Sequence, residues 1–216
     1  MIKNVFDNYE AARPYIRRFI FDPDLRPEFL KNRLAISRHG KLCAIYIIYI
    51  PHPEDDTTSL QCISERMLKR WDISLDTLIK DVCDSEFEQI YIFNGISFGE
   101  NLYYSSKKFD DWDILCLTNT DKQFGASLIL NKAIRKRVGE IVGGHFIMLP
   151  SSVHEVMIIR DVNEDLDYFY DMLAEFNANP MIVKPKDVLC NTPFWCSKDG
   201  EMMMDLKLAK EDIEED

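Results

Sequence analysis

The chain has 216 residues, 46% of them hydrophobic and 12% aromatic, and a formal net charge of −11. That length and apolar content are enough for one packed core and exclude wholesale disorder. The negative balance excludes direct binding of duplex DNA or of an anionic membrane, because neutralising phosphates takes clustered Lys and Arg.

Five of the negatives sit in Glu211, Asp212, Glu214, Glu215 and Asp216, and without them the charge is still −6 (−11 + 5). Residues 206–216 therefore read as a solvated, frayed acidic tail on a domain spanning 1–205. The longest apolar run, Leu42 to Ile50, is about half of the roughly 18 residues that a bilayer span requires. The N-terminus lacks the apolar core and cleavage site of a secretory signal. Cys43, Cys62, Cys83, Cys116, Cys190 and Cys196 form no C-x-x-C pair, so reduced thiols in a cytoplasmic protein are expected.

Along the chain, Tyr9, Ala12, Ile16, Phe19 and Ile20 recur at helical spacing, with Pro14 kinking or opening the helix. Together with a short helix after Pro27, this predicts a helical N-terminal subdomain over 1–32. Arg33–Ser37 and Leu42–Ile50 read as strands around a His39-Gly40 turn, and Ser59–Ile63 as a third strand. Ser64 and Ser74 are candidate caps for two helices with apolar faces at Met67, Leu68 and Trp71 and at Leu75, Leu78, Ile79 and Val82.

Gln89–Phe93 and Trp112–Leu117 read as strands flanking a long irregular segment, Asn94 to Asp111. Phe124 to Ile141 predicts the longest helix, with Lys132, Arg135, Lys136 and Arg137 on its exposed side. That cluster reads as a solvated face, with an anion or acidic-partner site as the sharper alternative. Two strands over 145–160, a helix capped by Asn163 and short strands beyond Pro180 complete the pattern. Irregular alternation of helices and hairpins predicts an α+β fold with a mainly antiparallel sheet.

The only close grouping of Ser, His and Glu is Pro150-Ser151-Ser152-Val153-His154-Glu155. A hydroxyl, an imidazole and a carboxylate are the parts of a serine hydrolase, so Ser151, Ser152, His154 and Glu155 are the catalytic candidates. The spacing opposes that reading, since adjacent residues of a strand point to opposite faces and His154 and Glu155 could not serve one another. The G-x-S-x-G turn that presents a nucleophile is also missing. A turn whose hydroxyls bond nearby backbone is the simpler account.

Among His39, His52, His145 and His154 there is no H-E-x-x-H, H-x-H or His/Cys pair, so no metal is expected. Asn94-Gly95-Ile96-Ser97-Phe98-Gly99 lacks the features of a phosphate cradle, and no cofactor is expected either. Tyr103 and Tyr104 before Lys107 and Lys108 read as core edges or a protein contact in so acidic a chain.

Three segments carry a family resemblance: Tyr15-Ile16-Arg17-Arg18-Phe19-Ile20; Met67-Leu68-Lys69-Arg70-Trp71-Asp72-Ile73-Ser74; and Leu117-Thr118-Asn119 with Gly125-Ala126-Ser127 and Leu149 to Val156. Over about residues 10–195 the chain resembles an uncharacterised bacterial family of unknown function, found in gut anaerobes and often on mobile elements. Asp84-Ser85 departs from the Asn-Thr usual there. The resemblance implies a small cytoplasmic α+β protein and assigns no reaction, cofactor or site residue.

Without a complete catalytic constellation, the sequence predicts a non-enzymatic interaction or regulatory protein with a protein partner. A specific form is a mobile-element accessory whose acidic surface imitates nucleic acid and inhibits a DNA-handling enzyme. The alternative is a Ser/His hydrolase centred on Ser151 or Ser152 and His154, with a carboxylate brought from elsewhere.

Overall fold

The computed structural model describes residues 5–86, 90–94, 113–162 and 165–214. The expected loop 94–111 therefore lies, apart from Asn94, outside the described residues, as do Trp112 and the cap expected at Asn163. The chain divides into two compact units, Met1–Glu88 and Gln89–Asp216. Both are built on antiparallel sheets with helices, which makes the fold α+β.

In the first unit, β1 (Ile16–Phe21), β2 (Ile36–His39), β3 (Leu42–His52) and β4 (Thr57–Cys62) form one sheet. The eleven-residue β3 is its spine: β1 pairs along one side, and β2 and then β4 follow one another along the other. Gly40 makes the β2–β3 turn at φ +60°, where a side chain would be strained. Three helices, α1 (Tyr9–Ala12), α2 (Glu65–Trp71) and α3 (Leu75–Glu86), supply the rest of its core. Ile16, Tyr46, Ile48, Ile50, Met67, Trp71, Leu78 and Val82 pack together there. Ser64 and Ser74 cap α2 and α3 by accepting from the backbone N–H groups of Met67 and Thr77.

The N-terminal helix ends much sooner than its spacing predicts. Only Tyr9–Ala12 is α-helical; a 3-10 turn follows over Arg13–Tyr15, and Ile16–Phe21 is a strand. Pro14 removes a helical N–H, and Ile16 and Ile20, four apart, satisfy a period of two as well as a helical one. The long apolar edge of β3 decides between them. The helical reading of residues 1–32 is thereby corrected to a short helix, a strand and 3-10 turns.

β1 also carries a charge into the interior. Arg18 Nη2 donates to Glu86 Oε2 at 2.6 Å, and their side chains are 1% and 9% exposed. Arg18 Nη1 also donates to Cys83 Sγ at 3.5 Å, so strand β1 and the end of α3 are joined by a desolvated ionic link. Removing one partner of a buried pair costs far more than the pair contributes, because the other charge stays buried. Glu86→Ala is expected to lower unfolding stability by roughly 3–5 kcal/mol in urea titration, and Glu86→Gln by less.

The second unit holds β5 (Ile90–Asn94), β6 (Ile114–Asn119), β7 (Phe146–Leu149), β8 (Val156–Arg160), β9 (Phe194–Cys196) and β10 (Met203–Asp205). They form a six-stranded sheet in the order β10-β9-β7-β8-β6-β5, antiparallel throughout. Alternate residues Ile147, Leu149, Met157 and Ile159 face Phe169 and Leu173 of α5 (Leu166–Ala178). They also meet Leu206 and Ala209 of α6 (Leu206–Glu214). Residues 206–214, expected as a frayed tail, are thus a helix in which Leu206 and Ala209 are buried. The acidic composition concealed the spacing of Leu206 and Ala209.

The helix expected over 124–141 is two pieces. A 3-10 segment runs Gly125–Leu130, and α4 covers Lys132–Val142, capped by Asn131 Oδ1 accepting from Ala133 N. Asn131 competes for local backbone donors and so starts a new helix instead of continuing the old one. Gly143 ends α4 in the left-handed conformation at φ +81°. Asp165 caps α5. All six cysteines are free, and burial pushes the Cys196 thiol up to about 12. No described helix is long and apolar enough to cross a membrane.

Candidate functional site

β7 and β8 are joined by the six residues Pro150–Glu155, and none of them lies in a named strand. The opposite-face objection to His154 and Glu155 therefore does not apply here, and their positions follow from other bonds. Pro150, Ser151, Ser152 and Val153 are buried, so their backbone groups need partners inside the protein. Residues 187–190 supply them. Val153 N donates to Asp187 O at 2.9 Å, Leu189 N to Ser151 O at 3.1 Å, and Cys190 N to Pro150 O at 3.1 Å. Ser152 and Val188 form an antiparallel bridge.

On the other side the excursion rests on the end of β6 and the turn after it. Thr118 Oγ1 donates to His154 O at 2.7 Å. Phe124, held at φ +60°, donates its backbone N–H to His154 Nδ1 at 3.3 Å. Its ring stacks on the imidazole, with centroids 5.5 Å apart. The next residue must be glycine: a Cβ on Gly125 would lie 2.7 Å from His154 O and 2.5 Å from Asn119 N, with Thr118 Oγ1 closer still.

These contacts settle what the imidazole can do. A backbone N–H only donates, so Nδ1 is an acceptor and a neutral ring carries its proton on Nε2. Nε2 lies 3.6 Å from Asp187 Oδ1. Both ring nitrogens thus face groups other than a serine. Activating a serine requires one ring nitrogen to accept the hydroxyl proton while the other is held by an acid.

The hydroxyls are occupied differently. Ser152 Oγ accepts from His154 N at 3.0 Å, and its hydroxyl favours the ionised form of the Glu155 carboxyl. Ser151 is 1% exposed, and its Oγ has no hydrogen-bond partner among the described residues. Burial raises the Glu155 pKa, and this outweighs the opposing influence of Ser152 and His154. The four sequence candidates are gathered in one place, but no hydroxyl-to-imidazole bond links them.

Asp187 is the residue that sequence reasoning missed. It is 33 positions from His154, in a 3-10 turn over Pro185–Asp187, and no local motif marks it. The signal available was indirect: Lys184-Pro185-Lys186-Asp187 is a turn, and a turn beside a buried excursion offers carbonyls and a carboxylate. Among the described residues, no group of three or more His, Cys, Asp or Glu side chains could hold a metal ion.

The family model matches residues 2–197, nearly the whole chain and all of this junction. The chain belongs to a family of unknown function (DUF5688). No curated protein and no solved structure matches it. The family match thus takes in the 150–155 excursion, its 187–190 partner and Gly125, but stops before β10 and α6.

Two variants probe the junction. Gly125→Ala forces its methyl against backbone on two sides and is expected to cost on the order of 1–3 kcal/mol in thermal or urea unfolding. Glu155→Gln tests the burial of the carboxyl. A raised folded pKa means the folded state binds the proton better, so the wild type loses stability as pH rises above about 4.5, the group's ordinary value. The difference in stability between Glu155→Gln and wild type should therefore shift in the variant's favour between pH 4 and pH 7. A constant difference across that range would show that burial does not perturb Glu155.

Proposed function

We propose that this chain is a non-enzymatic cytoplasmic interaction protein whose acidic second unit docks a basic partner surface. One observation supports the non-catalytic half above all: His154 has Nδ1 against the Phe124 N–H and Nε2 toward Asp187, leaving no nitrogen for a serine proton. The residues that look catalytic in sequence serve to seat a buried connection.

Charge placement supports the other half. Residues 1–88 hold 15 acidic and 13 basic side chains, a net of −2, whereas 89–216 hold 22 and 13, a net of −9. Within that unit, Asp167, Asp171 and Glu175 are exposed along α5 at i, i+4 and i+8 with no Lys or Arg in the helix. Like charges at this spacing repel and weaken the helix by a few tenths of a kcal/mol per pair. A cationic partner would relieve that repulsion. A basic cleft that handles nucleic acid is such a partner, and an acidic accessory of a mobile element would act by occupying it.

Purified wild-type protein should bind a basic partner drawn from its native host with an affinity that falls as salt rises, and should displace duplex DNA from it. The triple variant Asp167→Lys, Asp171→Lys, Glu175→Lys should lose most of that affinity. Equal binding by wild type and variant would refute the docking surface. Esterase or peptidase activity present in the wild type and abolished by His154→Ala would refute the non-catalytic reading.

A further inference from the structure

We propose a second site, independent of the 150–155 junction: a preformed cleft for a small planar organic anion, of the aromatic carboxylate class. The cleft has a volume of about 530 Å³ and lies between α4 and the turn that links β9 to β10. Lys136 and Glu140 line it from α4, His145 from the entry to β7, and Trp195 and Met202 from either side of the turn.

The walls are rigid before any ligand arrives. Gly139 of α4 has no room for a side chain against the carbonyl of Lys198. Gly200 sits at φ +74°, and a Cβ there would lie 2.5 Å from Lys136 N and 2.6 Å from Lys132 O. Arg135, expected on the exposed helix face, is instead 8% exposed; its Nε donates to Gly200 O at 2.9 Å and its Nη1 to Ile129 O at 2.8 Å. Within the turn, Met202 N donates to Ser197 Oγ at 2.9 Å and Gly200 N to Ser197 O at 2.9 Å. A site assembled in advance loses little entropy on binding.

The lining is flat and mostly apolar. Trp195 Nε1 donates to Asp161 Oδ2 at 2.8 Å, which fixes the indole, and the His145 ring stacks on it with centroids 4.8 Å apart. Met202 is 49% exposed beside them, a polarisable thioether suited to a ring. Pockets of this kind take ring systems and choose among them with a few fixed polar groups.

The donors among those polar groups are Lys136, Lys198 and His145, beside the carboxylates of Glu140, Asp199 and Glu201. The backbone N–H of Lys198 donates to His145 Nδ1 at 3.1 Å, so a neutral ring holds its proton on Nε2. Nε2 makes no hydrogen bond or ion pair among the described residues, although the ring lies within electrostatic reach of Asp199. Lys136 and Lys198 form no ion pair among the described residues, even though 89–216 is the acidic part of the chain. The neighbouring acids are committed: Glu201 pairs with Lys132, and Asp199 accepts from Ser197 Oγ at 2.6 Å and Glu201 N at 3.1 Å. Of the lining acids, Glu140 alone lacks a described partner, against two ammonium groups and an imidazole N–H. A ligand with a ring for the Trp195–His145–Met202 surface and an acid group for these donors matches both halves.

Isothermal titration of the full chain with indole-3-acetate, indole and tryptamine tests this directly. Indole-3-acetate is expected to bind at one saturable site at least about tenfold more tightly than the neutral or cationic probe, the contribution of one charged hydrogen bond. Met202→Glu changes a side chain that is 49% exposed, and its thermal unfolding midpoint should match that of the wild type. It should abolish the preference for the anion, and Lys136→Ala with Lys198→Ala should weaken anion binding by about tenfold or more. Equal affinity for the three probes, no saturable binding of indole-3-acetate, or unchanged binding in Met202→Glu would each overturn the proposal.

Discussion

A buried chain segment outside regular strands must still satisfy every backbone N–H and C=O, and that constraint organises the 150–155 junction. Pro150–Glu155 leaves the β7–β8 ladder yet stays largely inside the protein. Its amides and carbonyls are met by Asp187, Leu189 and Cys190 on one side and by Thr118 on the other. The requirement also recruits the imidazole. His154 spends Nδ1 on an N–H of Phe124, a residue held in the left-handed region. Side chains of catalytic type here make hydrogen bonds to backbone.

The same economy appears in the buried arginines. Arg18 and Arg135 lie in different units, and both are withdrawn from water. Arg18 meets a carboxylate, a desolvated pair whose value is in specifying how β1 and α3 fit. Arg135 meets backbone carbonyls of the Leu130 and Gly200 neighbourhoods, Ile129 O and Gly200 O, and holds a tight turn against a helix. A guanidinium suits the second task because its planar fork offers several donors in fixed directions. Taking Arg135 into the interior leaves Lys132, Lys136 and Arg137 of the basic cluster on the surface, where Lys132 pairs with Glu201.

Charge is distributed as unevenly as structure. The first unit is nearly balanced and the second carries nine of the eleven net negatives. Net charge of this kind governs association and solubility, with no bearing on which fold forms. α5 shows the separation clearly: Phe169 and Leu173 are buried under the sheet, while Asp167, Asp171 and Glu175 stay in water.

Much of the architecture was legible in the residues. The strands of β3 and β8 follow from their Ile-rich runs, the starts of α2 and α3 from Ser64 and Ser74, and the end of α4 from Gly143. These are local signals, set by sterics and by hydrogen bonds three or four residues away. The strand at Ile16–Phe21 was not legible, because Ile16 and Ile20 fit two periods and only the edge of β3 chooses between them. Nor was α6, whose acidic composition outweighed two buried positions. Ser151, Ser152, His154 and Glu155 stood out by type, but their roles did not. Asp187 reaches His154 across 33 residues and Phe124 across 30, and tertiary contacts of that span leave no periodic trace in a single chain. Composition and spacing thus determined the fold class and the place to look. What each nitrogen of His154 faces depends on two distant groups, and only the folded chain brings those groups to it.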